Sequence, residues 1–556
     1  MVDQDRFARC HRGVARVALA ILLMAPFGNL AGQAGHEIAG HPDHALGTVD
    51  FPVSCSVQAQ VEFNRAVALL HHMTYPQAQV AFGQVAATDP HCAMAHWGIA
   101  MTLFQPLWPT RPGREALQRG WDEVQTARNL APPTRRERMF VAAAEAFFLE
   151  PESSDYWLRI RRWEEAMEQV HAAFPGDPEA ASLFAVAHLA TAPSDRISRT
   201  HSDRAAGILL DIYARNPDHP GAMHYLVHAN DVPGREQESL DITRKYELVA
   251  PRNPHALHMP THIYTRLGDW DGVTRGNLRA AEAALAHPAG DHGEFVWDEF
   301  PHAIEYLVYA YLQQGADDAA AVQLQRLNTT SRLEPTFKTA FHLASTNARY
   351  ALERRAWSEA AALAARMPAS LDWDRFTWPE AITRFAHGLG ATRLERFDEA
   401  RAAVARLLEL ESATQTVGED LFARNIRVLR LELSAWLAQA ERQAEKSLKL
   451  MQEAVELEAA TPKHAVTPGP TLPAPELLGD LLIEQRQPAE ALVAYRRSMK
   501  LYPNRFNSLL GAARAARALG DELLAGTYYL ALLELAADGT RQPPMTEARD
   551  FVAKEP

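Results

Sequence analysis

Residues thirty-four apart repeat one another along much of this chain, and no other feature constrains the fold as strongly. Near the C-terminal end Gly479, Leu482, Ala491 and Tyr495 are answered at that offset by Ala513, Ala516, Ala525 and Tyr529. In the middle, His224 and His228 are answered at the same offset by His258 and His262. A fixed period of this length marks a stacked array, in which each unit buries its apolar face against its neighbours. Within the periods Leu and Ala recur at three- and four-residue steps, and no run of alternating β-branched residues argues for a sheet. The units are therefore expected to be helical.

The C-terminal units carry a small residue in a first helix, an alanine and an aromatic four apart in a second (Ala491, Tyr495), and a late proline (Pro503). The small residue lets the second helix approach, the ring fills the gap and the proline ends the unit. The same signature stands near the start as Ala78, Phe82 and Pro90. It recurs, degraded, around Gly268 to Trp270, at Gly315, over Trp357 to Ala360 and over Phe397 to Ala400. On these residues the chain resembles the tetratricopeptide repeat family, and its exported bacterial members in particular, over most of Val57 to Leu535. The resemblance implies an all-α superhelix, an α-solenoid of antiparallel helix pairs. It also implies a concave groove that holds a protein or peptide partner, but it specifies no reaction, because such arrays scaffold many unrelated functions.

The domain reading follows from breaks in the pattern. Residues 1–34 combine Arg6, Arg9, Arg12 and Arg16 with an apolar run from Val17 and a small-x-small site at Gly32 to Ala34, the composition of a cleaved export signal. A retained anchor would need a longer apolar run, close to the roughly 20 residues that span a bilayer. The mature chain then has no transmembrane segment and is placed in the periplasm or outside the cell. Residues 35–50 lack apolar period and read as a mobile segment. Residues 51–460 form the main array, with irregular spacing between Trp108 and Ala205. Residues 461–476, TPKHAVTPGPTLPAPE, are a proline-rich linker through which no helix runs. Residues 477–540 are a C-terminal pair of repeats and 541–556 a tail. Loss of the leader removes Cys10 and leaves Cys55 and Cys92, which in an oxidising compartment are expected to form one disulfide; the alternative is two free buried thiols.

The chemistry is concentrated between His224 and Glu305. His224 and His228, like His258 and His262, are four apart, so on a helix each pair projects from one face. Two such pairs on adjacent helices can bring three or four imidazoles to one transition-metal ion, zinc or copper, since imidazole alone does not choose between them. The competing reading is a hydrogen-bonded polar wall that uses Asp231 and backbone groups. Pro260 complicates the second pair, because it removes a donor and disfavours a helical Met259. The resemblance places these four histidines on the concave surface, with His255, Arg266 and His302 beside them and Glu305 able to orient or replace a ligand. It makes a binding scaffold the expected function and a metal-dependent hydrolytic or redox enzyme the alternative.

Composition excludes other classes. The chain has 69 acidic and 56 basic residues, a net charge of −13, and no basic run interleaved with aromatics, so nucleic acid is not an expected partner. His91, His96, Trp97, Met101 and Trp108 form a second histidine and aromatic stretch, but aromatics and Met at helical spacing read as repeat core. No phosphate loop, no Gly-x-Ser-x-Gly and no HExxH pattern is present.

Overall fold

The computed structural model describes residues 45–153, 155–290, 292–536 and 543–553. The expected leader, residues 35–44 of the segment read as mobile, and parts of the tail lie outside the described residues. What is described is an all-α superhelix of tetratricopeptide-like helix pairs running from Val57–His71 to Glu522–Leu535, with Pro543–Val552 appended. Among the described residues there is no strand, only two isolated bridges, and no helix long and apolar enough to cross a membrane.

The helix starts are written in the sequence. Ser56, Asp155, Asp177, Asp269 and Asp521 each accept a backbone N–H of the following first turn, and Thr134 with Glu137 forms a reciprocal capping box. The small-and-aromatic signature sets the spacing between helices. A Cβ placed on Gly98 would lie 2.2 Å from the Phe82 ring, and one on Gly511 would lie 2.3 Å from Tyr495. Those glycines let helix pairs close on their aromatic spacers. The irregular stretch after Trp108 also forms helices, from Arg114–Asn129 to Arg199–Arg215, packed in sequence order despite their broken period.

Three observations fix the middle of the array from outside. Cys55 and Cys92 form the expected disulfide, beside the starts of the first and third helices. Residues 45–50 are pinned where the sequence suggested mobility: Thr48 N donates to Asp218 O at 2.9 Å, and His72 Nε2 bonds to Leu46 O at 3.0 Å. The proline-rich stretch is a strut over residues 461–473, with Arg349 donating to the carbonyls of Gly469 and Pro470 and with Val466 and Leu472 buried, whereas its last three residues, read as linker, already open the Ala474–Glu484 helix, Pro475 falling in the first turn, where a missing donor costs nothing. Beyond it the C-terminal repeats fold back on the main array. Arg505, fully buried, reaches Glu353, Glu476 and Tyr309, and Trp270 Nε1 donates to Asn504 O at 2.7 Å. Proline denies the strut its own helical bonds, so its carbonyls are free to be used by these side chains.

Candidate metal centre

The histidines sit where the Pro220–Asn230, Pro254–His258, Pro260–Leu267 and Glu299–Gln313 helices converge. Pro260 divides the second pair's helix, yet Met259 keeps helical angles (φ −54°, ψ −40°), so the four-residue geometry survives. His258 Nε2 and His262 Nε2 face each other at 3.0 Å, as His224 Nε2 and His228 Nε2 do at 3.1 Å.

The four histidines do not gather at one point. They divide into two trios, each completed by a histidine that the sequence placed only on the groove wall: His224, His228 and His255, and His258, His262 and His302. In each trio one possible ligand atom per residue lies within 4.8 Å of the others. The trios adjoin, with ring centroids of His228 and His262 6.1 Å apart and those of His255 and His258 6.2 Å apart. All six residues are buried except His228, which is partly exposed.

The partners of the far nitrogens decide the protonation pattern. His224 Nδ1 lies 2.6 Å from His71 O, and a carbonyl only accepts, so this nitrogen carries the proton. His258 Nδ1 donates to Asn277 Oδ1 at 2.7 Å, the amide being oriented by its own donation to Val273 O. His255 Nδ1 donates to Glu299 at 3.1 Å and His262 Nδ1 to Asp231 at 2.9 Å. A neutral imidazole with Nδ1–H presents a bare lone pair at Nε2. The Nε2 atoms of His224 and His255 nevertheless stand 3.2 Å apart, and those of His258 and His262 3.0 Å apart. In each trio two lone pairs face each other.

A proton between the rings would relieve this only by making an imidazolium. Burial opposes that: it lowers His224, His228, His258 and His302 well below the ordinary histidine value. Burial, with Lys463 nearby, also takes His262 down to about 4. His302 Nδ1 is buried without a hydrogen-bond partner. Four of the six rings, His224, His255, His258 and His262, thus aim Nε2 lone pairs at one another.

Other expected groove residues have different roles. Asp231 accepts from His262, from Arg266 Nε at 2.5 Å and from Lys463 Nζ at 2.7 Å, so Arg266 is a paired cation and no free clamp. Burial alone would raise the Asp231 carboxyl, but Lys463 and Arg266 hold it well below the usual range. Glu305 does not touch either trio. Its oxygens accept from His342, Ser345 and Arg349, one layer further on. Of the six histidines only His228 reaches a wider cavity, one of about 190 Å³ that Asp231 and Arg266 also line; Trp108, Pro109, Lys338, Ala465 and Val466 enclose the space between the trios. In the stretch from His91 to Trp108, Trp97 and Met101 are buried core as read, but His91 is exposed, half-buried His96 bonds to Glu123, and Trp108 borders the space between the trios. The sequence reading missed Asn277 and Glu299, which orient ligands, and Lys338, which pairs with Glu299 and lies 3.6 Å from the Trp108 ring centroid. Glu299 stands three residues before His302 and so was within reach of a motif search; Asn277, on the following helix, carried no signal.

No protein-family model matches the chain, and no curated protein matches it. Among solved structures it is similar to the APC/C hetero-tetramer Cut9-Hcn1, at 13% identity and a TM-score of 0.33 over 89% of each chain. It is similar also to the human IFIT1 dimer with m7Gppp-AAAA, at 13% identity and TM-score 0.38, covering 80% of this chain and 90% of that one. The same IFIT1 dimer with PPP-AAAA gives 12%, 0.37, 80% and 91%.

Proposed function

We propose that this chain is an exported helical-repeat scaffold whose function is carried by two transition-metal ions, one in each histidine trio. The observation that carries the reading is the pair of Nε2 to Nε2 contacts at 3.0 and 3.2 Å between rings whose Nδ1 protons are already committed. Two nitrogens bound to one ion at roughly 2.0–2.1 Å in tetrahedral geometry stand about 3.3 Å apart, close to that spacing. Acceptors on Nδ1, here a carbonyl, an amide oxygen and two carboxylates, are the supports that fix ring orientation at metal sites. Three histidines per ion leave a coordination position for a small ligand. The Cys55–Cys92 bridge supports export to an oxidising compartment.

This reading supersedes the expectation of one ion shared by four histidines. It also makes the strut of residues 461–473, and no outside peptide, the cover of this stretch of concave face. A protein partner would have to engage the array elsewhere.

The test is elemental analysis of tag-free protein purified without chelator, beside His224→Ala and His262→Ala. The wild type is expected to hold two ions of zinc or copper per chain, and each variant to lose at least one. A metal-free wild type whose melting temperature responds to neither zinc nor copper would leave the trios as a strained hydrogen-bonded wall and end the proposal.

A further inference from the structure

Arg266, Lys463 and His464 border two cavities, the wider one of about 190 Å³ that His228 reaches and a second of about 90 Å³ that none of the six histidines reaches. The second is built on one helix face. Asn425, Val428, Leu429 and Glu432 fall at steps of three and four along Asp420–Ala440, and all four border it. Phe341, Trp378, Ile382 and Leu472 supply apolar wall, and Glu458 and Tyr502 add polar groups. A largely apolar cavity with a few polar groups in its wall is the usual form of a small-molecule site.

The acidic groups of this wall are the unusual part. Glu432 is fully buried, and neither of its oxygens has a hydrogen-bond partner among the described residues. Glu458 accepts from the Tyr502 hydroxyl at 3.1 Å and from Ala474 N at 3.0 Å, which leaves each of its oxygens a further lone pair. Arg505 acts on Glu458 from outside the cavity and is committed to Glu353 and to Glu476, which also acts on Glu458. Lys463 and Arg266 are tied to Asp231, which borders the wider cavity and not this one. Burial, with Arg111 and Lys463 nearby, takes His464 down to about 3, so it brings no charge. The two carboxyls therefore share a wall without a counter-ion of their own. They stay uncharged by holding protons: burial, with Glu458 beside it, raises Glu432 well above the usual range, and burial raises Glu458 to about 7.

From the two carboxyls and the apolar walls around them we propose that this cavity binds a small aliphatic primary amine, its ammonium against Glu458 and Glu432 and its chain against Phe341, Trp378, Leu429 and Leu472. The proposal goes beyond the two-ion reading and does not depend on it. An ammonium brings three N–H donors, and the two carboxyls hold lone pairs that nothing else uses. The charges balance. The ammonium adds one positive charge, one carboxyl releases its proton, and the buried site ends with a paired ion where it had an unpartnered acid. The space is room for roughly six to nine water-sized groups, so a short alkylamine fits and a longer peptide does not.

The experiment titrates the natively purified chain by calorimetry with isoamylamine. Beside it stand isoamyl alcohol, which keeps the chain and loses the charge, methylamine, which keeps the charge and loses the chain, and isovalerate, which reverses the charge. One isoamylamine per chain is expected, bound at least tenfold more tightly than the other three. Equal binding of the alcohol or of isovalerate would show that the carboxyls recognise nothing and would overturn the proposal. Equal binding of methylamine, or several amines per chain, would mark simple attraction to a surface of net charge −13 and would also overturn it. Glu432→Gln keeps the shape of the side chain and removes its charge. With its fold checked by a melting curve, that variant is expected to bind isoamylamine at least tenfold more weakly and isoamyl alcohol as before. Unchanged amine affinity in the folded variant would place the amine elsewhere. Each of these failures leaves the metal count of the trios untouched.

Discussion

Two buried histidine clusters touch each other in this molecule, and only one of them looks like a metal site once its protons are counted. In the first, His71 Nε2 lies 2.6 Å from Glu179 Oε2, and His71 Nδ1 is 3.1 Å from the Tyr225 hydroxyl. His219 Nε2 donates to Glu179 Oε1 at 3.2 Å, and its Nδ1 accepts from Ala222 N at 3.1 Å. Every nitrogen has a complementary partner. Burial would raise the Glu179 carboxyl, but His71 and His219 hold it well below the usual range. In the second cluster, reached through the His71 carbonyl, the Nδ1 atoms of His224, His255, His258 and His262 have acceptors while Nε2 meets Nε2. Both clusters bring three ligand atoms within 4.8 Å, so proximity does not separate them. Complementarity does: a carboxylate between imidazoles closes a network, and imidazoles alone leave it open for a cation.

The largest effect expected from this difference is in the double variant His224→Ala with His258→Ala. It should fall from two bound ions to none by elemental analysis, and its melting curve should no longer respond to chelator. Next, Glu179→Ala should cost about 3–5 kcal/mol of stability, because it strips the partner from two buried imidazoles. In denaturant melts this loss should appear with two ions still bound, and loss of metal in that variant would break the distinction between the clusters. A smaller change is expected for Asn277→Ala, which removes only the acceptor behind His258. Chelator competition should show metal affinity weaker by about 10–100-fold in one trio and unchanged in the other.

The period made half of this legible. His224, His228, His258 and His262 were found because a thirty-four-residue repeat copies them, and the helix pairs and the small-and-aromatic contacts follow from the same reading, while the disulfide followed from the cysteines left after the leader. Each trio is a four-spaced pair plus the first-turn histidine of the next unit, His255 for the first and His302 for the second. The second relation was hidden because His302 lies 302 − 255 = 47 residues after His255, an excess of 13 over the period, taken up around the segment from Pro288 to Asp298. The same offset from His258 reaches 258 + 47 = 305, where a glutamate stands in place of histidine. There the next unit's His342 finds a carboxylate 2.6 Å away, so the pattern of facing imidazoles ends at Glu305. The role of the proline-rich strut was not legible, because its order comes from Arg349 and Asp231, far away in sequence.

A third buried group sharpens the comparison by showing how a carboxyl solves the same problem. Glu432 is fully buried with neither oxygen hydrogen-bonded, and burial with nearby Glu458 raises its pKa well above the usual range. Burial likewise pushes Glu458 up to about 7. Both keep a proton in the folded state that the unfolded chain would release near the ordinary carboxyl value. Their contribution is therefore fully present below that value and falls as pH rises, that of Glu458 being lost through about 7 and that of Glu432 above its own raised pKa. Glu432→Gln should raise the melting temperature at pH 8, by the least of the effects described here, and flatten its decline between pH 5 and 8. An equal decline in wild type and variant would contradict the assignment.

The central claim, that neutral imidazoles with committed Nδ1 protons hold two ions side by side, is tested most directly by X-ray absorption at the metal edge of natively purified protein. The account predicts a first shell of about three imidazole nitrogens per ion at roughly 2.0–2.1 Å, with a second metal as a near neighbour. A first shell of carboxylate oxygen or sulfur, or a single isolated ion, would contradict it.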